Sequence, residues 1–502
     1  MPASALAARV REALAVDADE FDANVAEEAD RLKREIRDGT FDNAEGIVGL
    51  ELELYAVDSR SGSLCRVPRV LLELIGFEKE LGLHNAEMQT SPQPLNEHGL
   101  AAQERELKAN LAPALERTRG EHIRLVSDGL WTVPPTGETA TDYLRDHVEH
   151  DGVRIATNMS DAVRYHAMTN TDYPCGMRIE APHVSLSAET VMPESLITSL
   201  QPHYQVSHAP DLPEFFRYAL RVAGPLLALG VNSPFFPPDL YDDADDEAVV
   251  ADARMEHRIG VFEGVLNPTD QPGKVRFPPD FESVEEAVDA VVADAAIVPM
   301  DVERRDRFDD AFAHFRHKHG SYWRWVRPVF DGATRSRANA RIEFRPLPAQ
   351  PTVRDAVSFQ AVFAGLLETL PRIEHPVQAL DWETARENFY AACRDGLRAD
   401  LVWITSDGAE TTSTDRMYGE LFEAAREGLE GRGLSTEQAR RYIRPLRERA
   451  DRRATPARWK HDHVAAAVDE NVPLAEAIWA MQSTYVDHQT GTLLEGTFAD
   501  WL

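Results

Sequence analysis

The chain has 502 residues, with 85 Asp and Glu against 53 Lys and Arg, and its formal net charge of −32 is spread along the whole length. That acidity argues against a phosphate-tracking nucleic-acid binder, while 43% hydrophobic residues with 8 Trp and 20 Phe argue against disorder. Cys65, Cys175 and Cys393 are too few and too scattered for a disulfide framework or a Cys-rich zinc site, and no apolar run approaches a membrane span or a signal-peptide core. The expectation is an acidic cytoplasmic protein with no membrane partner and the composition of a salt-adapted surface.

Apolar residues from Leu6 to Ile36 recur at helical intervals among charges, so Ala3 to Arg37 reads as one or two helices ending near Asp38-Gly39. The next stretch, Gly49-Leu50-Glu51-Leu52-Glu53-Leu54, alternates like a strand, with leucines on one face and Glu51 and Glu53 on the other. Two carboxylates at that spacing stand about 7 Å apart and repel by roughly 2 kcal/mol at a dielectric of about 20. A divalent cation would reverse the sign of that term. A turn at Asp58 to Gly62 predicts a return strand through Leu64 to Val67. Asn96 to Arg119 reads as an amphipathic helix, His122 to Ser127 as a strand, Trp131 to Tyr173 as loops, and Met177 to Ser187 as one strand carrying Arg178 and His183. Helices follow at Leu212 to Leu229, Phe281 to Val298 and Val353 to Leu370; after Leu380 several charged amphipathic helices complete the chain.

Several known chemistries are missing. There is no Gly-x4-Gly-Lys phosphate loop, no Gly-x-Gly-x-x-Gly fingerprint, no His-Glu-x-x-His zinc helix and no Gly-x-Ser-x-Gly nucleophile turn. His314, His317 and His319 lie among Arg and Lys and read as a surface helix. What remains is a set of acids, one histidine and arginines on predicted strands: Glu51, Glu53, Glu87, Arg178, His183, Arg327, Glu343 and Arg345. Oxygen ligands with one imidazole suit Mg2+ or Mn2+, and arginines suit phosphate and carboxylate groups.

The opening strand resembles the Gly-x-Glu-x-Glu strand of the type 2 glutamate–cysteine ligase and carboxylate–amine ligase family. In family order it is joined by Glu87-Met88-Gln89-Thr90-Ser91-Pro92, by His183-Val184-Ser185-Leu186, by Leu229-Gly230-Val231-Asn232-Ser233-Pro234-Phe235, by Arg254, and by Tyr322-Trp323, Arg327-Pro328 and Arg341-Ile342-Glu343-Phe344-Arg345. The resemblance spans roughly Glu45 to Arg372. It implies an α+β fold like glutamine synthetase, an antiparallel catalytic sheet flanked by helices, with residues 1–44 as a helical segment, 45–375 as the catalytic domain and 376–502 as a helical C-terminal region. It further implies ATP with Mg2+ or Mn2+ held by Glu51, Glu53, Glu87, His183 and Glu343. Arg345 and Arg327 would be catalytic, and Arg345, Arg254 and Arg178 would contact the nucleotide. Glu80 is the candidate for a further acid of the second strand. Where many relatives carry His-x-His, this chain has His183 and Ser185. The implied activity is ATP-dependent joining of glutamate to cysteine through a γ-glutamyl phosphate. Its rivals are a ligase using another amine and a non-catalytic metal- or nucleotide-binding regulator.

Overall fold

In the computed structural model, which describes residues 2–269 and 273–502, the alternating stretch is the long strand β1 (Ile47–Asp58). It is followed by β2 (Asn85–Gln89), β3 (Gln93–Pro94) and β4 (Ile123–Val126), then by β5 (His147–His150), β6 (Val153–Ala156), β7 (Arg178–Ala181) and β8 (Val184–Ser187). Next come β9 (Leu200–Val206), β10 (Val326–Asp331) and β11 (Asn339–Phe344), and a separate two-residue pair follows at β12 (Trp403–Ile404) and β13 (Glu410–Thr411). The main sheet runs β10-β11-β9-β1-β2, with β3 and β4 also paired to β1, and every pairing is antiparallel.

The period-2 pattern decides which face is which. Val48, Leu50, Leu52 and Leu54 are buried, and each buried leucine stabilises by about 2 kcal/mol. Tyr204 of β9 and Ile342 of β11 stand opposite each other and are equally buried. Against that face lie the helices Leu212–Gly230 and Val353–Thr369; Phe363 of the second packs on Phe344 with ring centroids 4.5 Å apart. The two helices and the one at Glu97–Gly120 occupy the ranges expected from their periodicity, and the Asn96 side chain caps the last of these by accepting from His98 and Gly99.

Four expectations change. Trp131 to Tyr173 is not loop throughout: it contains the helices Ala140–Arg145 and Val163–Asn170 with the β5–β6 hairpin between them. Leu64 to Val67 is not a return strand: Leu64 makes a lone bridge to Val57, and β1 is occupied on its edges by β2, β4 and β9. Met177 to Ser187 is not one strand but the hairpin β7–β8, turned at His183 with φ of 61°, and it belongs to no larger sheet. The histidine helix, Ala313–His319, is not on the surface: Phe315, Lys318 and His319 are buried. There His314 Nδ1 meets Glu28, while His317 and His319 bond the carbonyls of Val298 and Pro328.

The charged C-terminal helices are Thr414–Gly431, Thr436–Arg452, Pro456–Asp469 and Leu474–Thr492. They join a hydrophobic core that runs continuously from Leu6 to Trp501. Their polar faces contribute too. Lys460, fully buried, pairs with the equally buried Asp128 and donates to the carbonyl of Asn232 at 2.8 Å. Asp128 also accepts from Tyr55 Oη and Gln482 Nε2. No helix among the described residues is long and apolar enough to cross a membrane.

Replacing one partner of a buried pair strands the other's charge, at about 3–5 kcal/mol. Lys460→Met is therefore expected to lower the unfolding free energy measured by urea titration by that order, and adding Asp128→Asn should recover part of the loss.

Candidate active site

The antiparallel register stacks the polar side chains of five strands on the face away from the leucines. Glu53 stands opposite Glu87, Glu51 opposite both Gln89 and Gln201, and Gly49 opposite His203. His203 in turn faces Glu343, which faces Arg327. Paired residues in a sheet point to one side, so one row carries acids at the β2 end and arginines at the β10 end. Beside it opens a cleft of about 780 Å³, walled by Gly49, Glu51, Gln89, His203, Gln205 and Arg341.

At the arginine end, Glu343 is buried and receives two cations: Arg327 Nε donates to Oε1 at 2.9 Å and Arg345 Nη1 to the same oxygen at 2.5 Å. Burial alone would raise this carboxyl, but Arg327 and Arg345 outweigh it and hold Glu343 well below the usual carboxylate range. Arg345 Nη1 also donates to Gln201 Oε1 at 2.6 Å. Its own backbone carbonyl and that of Pro346 accept from the buried Arg258.

The acidic end behaves in the opposite way. Glu80 reaches Glu87 because Glu78 bridges β2 at Glu87, and the two side chains hydrogen-bond. Burial, then repulsion by Glu80, Glu51 and Glu53, pushes Glu87 up to about 10; burial, with Glu53 and Glu194 behind it, raises Glu80 to about 7. Glu194 is lifted to about 8 by burial and by Glu53. Glu53 is satisfied differently, accepting from Ser199 N and Oγ at 2.7 Å each and from Gln201 Nε2 at 3.2 Å. Glu51 has the lightest hold, with His203 Nε2 at 3.4 Å. Arg341 Nε donates to His203 Nδ1 at 3.2 Å, which leaves the ring proton on Nε2, beside Glu51.

Of the residues expected here, Glu51, Glu53, Glu87, Glu343, Arg327 and Arg345 come together, and Glu80 joins them. His183 does not. It sits at the tip of the β7–β8 hairpin, paired with Asp252 at 3.0 Å and Asp242 at 3.4 Å, and the histidine of the central strand is His203. Arg178 is on the same hairpin and donates to Thr269. Arg254 is exposed; the buried arginine of its segment is Arg258.

A model of the family described as Glutamate-cysteine ligase family 2 matches residues 47–480. The chain belongs to glutamate–cysteine ligase family 2. The match continues well beyond Arg372, where the resemblance read from motifs stopped. No curated protein gives a significant sequence match. Among solved structures, the glutamate–cysteine ligase of Francisella tularensis, in complex with AMP, superposes at 13% identity and TM-score 0.51 over 90% of this chain and 91% of that one. A bifunctional glutathione synthetase from Pasteurella multocida gives 13% identity and TM-score 0.53 over 92% of this chain and 55% of its own. At that identity the likeness concerns the fold, and the expected glutamine-synthetase-like α+β architecture is borne out. As a member of family 2, the protein is a carboxylate–amine ligase of the ATP-dependent C–N class.

Among the described residues no three His, Cys, Asp or Glu side chains form a ready metal cluster. The carboxylates are turned to protein partners: Glu343 to arginines, Glu53 to Ser199 and Gln201, Glu80 and Glu87 to each other. Their chemistry nonetheless fits a hard divalent cation, because several oxygen donors repel one another strongly enough to hold protons near neutral pH.

A carboxyl raised in the folded state stabilises fully below its unfolded value near 4.5, and the contribution is lost as pH climbs through the folded value. Metal-free protein should therefore lose stability from about pH 5 upward, through the region of Glu80 near 7 and toward that of Glu87 near 10. Glu87→Gln removes the term. In EDTA it is expected to melt above the wild type at pH 8, and much closer to it at pH 5.

Proposed function

We propose that the protein joins the γ-carboxyl of glutamate to the amine of cysteine with ATP, by way of γ-glutamyl phosphate. The observation that carries this reading is the single sheet face with crowded carboxylates at one end and the Arg327–Glu343–Arg345 group at the other. The glutamate carboxylate attacks the γ-phosphorus, ADP leaves, the amine then attacks the acyl carbon, and phosphate departs as the nitrogen gives up a proton. The first step brings two anions together and is opposed by repulsion, so the site needs fixed positive charge and tight positioning more than a nucleophile.

Glu51, Glu53 and Glu87, with Glu80 and Glu343, are the residues that would hold Mg2+ or Mn2+, which when bound would neutralise phosphate oxygens. Arg327 and Arg345 bring guanidinium groups whose orientation is set by Glu343 and Gln201. Arg258 fixes the backbone beyond Arg345 through two carbonyls. His203 Nε2 faces Glu51 at 3.4 Å from the neighbouring strand. Gly49, opposite His203, has no side chain to extend into the cleft.

Phosphate release is expected only when glutamate and an amine are both present, with cysteine the best of a panel of amines, assayed in high potassium chloride to suit the acidic surface. A better turnover with another amine would replace cysteine in this reading, and release without any amine would remove the ligase. Glu51→Gln should abolish turnover and keep the fold. His203→Gln is expected to lower kcat about a hundredfold, whereas His183→Gln, remote from the sheet, should stay within about threefold; the reverse order would return the role to the hairpin.

A further inference from the structure

A cavity of about 220 Å³ lies away from the catalytic face, between the turn after the helix Trp382–Asp395 and the start of the helix Pro456–Asp469. Its wall carries Arg394, Arg398, Arg453, Arg458 and His461, with Asp395 the one acid among the described residues lining it. In a chain where acids outnumber bases 85 to 53, four arginines around one small cavity run against the mean. Arg453 and Arg458 are each balanced, by Asp415 and Asp462. Arg394 and Arg398 have no ion-pair partner among the described residues.

The turn is built to present them. Gly396 takes φ of 55°, and a Cβ there would come within 3.2 Å of Val231 and 3.3 Å of Met255, so the chain folds back tightly and brings residues 394 and 398 to one opening. On the facing wall His461 donates Nε2 to the carbonyl of Val250 at 3.0 Å and has Asp462 3.7 Å from its Nδ1, so the anion donors of the cavity are the arginines alone. Two guanidinium groups without ion-pair partners, lining one concave surface, offer the planar donors that phosphate oxygens accept.

We propose that this cavity binds a compact oxyanion, either inorganic phosphate or the phosphoryl group of a small metabolite. The volume suits one or two phosphoryl groups and not a whole nucleotide. The site is independent of the ligase reading.

The test is equilibrium dialysis of the full chain, at fixed ionic strength, with radiolabelled inorganic phosphate and with radiolabelled glycerol phosphate. Saturable binding of at least one probe is expected, and the tighter of the two identifies the source. Arg394→Gln combined with Arg398→Gln should weaken it at least about tenfold; both side chains are exposed, so the urea midpoint without anion should not move. Arg398→Gln alone should weaken binding by about threefold or more, which keeps the test open if the double variant folds poorly. Arg337→Gln, an exposed arginine on the rim of the cleft beside the acidic sheet face, should leave binding unchanged. The proposal is overturned if neither probe saturates, if both arginine variants bind like the wild type, or if Arg337→Gln weakens binding as much as they do.

Discussion

Like-charge crowding on one face of a sheet is the constraint on which this structure turns. Glu51, Glu53 and Glu87 are forced together by register, and Glu80 and Glu194 are packed beside them. No stable fold places so many carboxylates together without an answer, and two answers are visible. At one end protons remain on Glu80 and Glu87 near neutral pH. At the other, Glu343 is fully charged because two guanidinium groups share one of its oxygens. The same face therefore runs from an acidic end that favours cations to a basic end that favours anions, which is the polarity needed to align a metal–phosphate ligand along it.

The apolar face supplies the rigidity that this polarity requires. Leucines of β1 and the Phe344–Phe363 contact fix the sheet on its helices. Behind them Asp128, Lys460, Tyr55 and Gln482 form a buried polar group connecting β1 to helices more than three hundred residues later. A site whose ligands must be held to fractions of an ångström gains from a second layer that is itself specific in direction.

Legibility in the sequence followed burial and period. β1 was readable because six residues alternate without interruption, and the long helices because their apolar positions keep a 3.6 period. β9 was hidden for a physical reason. Pro202 lies within it, and a proline argues against an interior strand; here it is tolerated because the β11 ladder ends at His203 and Glu343, one residue earlier in that direction. With β9 unread, the histidine at 183 filled the role by motif alone, although the positive φ at its position makes it a turn residue. Arg254 and Arg258 are four apart, and the signal that separates them is the apolar pair Ile259 and Phe262 on the helix that begins at Arg258. Glu194 had none, since its 3-10 segment has no period.

The strand order has a consequence for how the molecule comes into being. β9 lies between β1, laid down early in synthesis, and β11, laid down well over a hundred residues later. The acidic residues of β1 and β2 can pair with each other soon after they are made, but their counter-charges on β10 and β11 arrive only near Phe344, and Lys460 later still. Contacts this distant along the chain close slowly, and a partly made sheet exposes edges that invite aggregation. The net negative charge of the nascent chain, spread along its whole length, then acts as its own solubility tag during that interval.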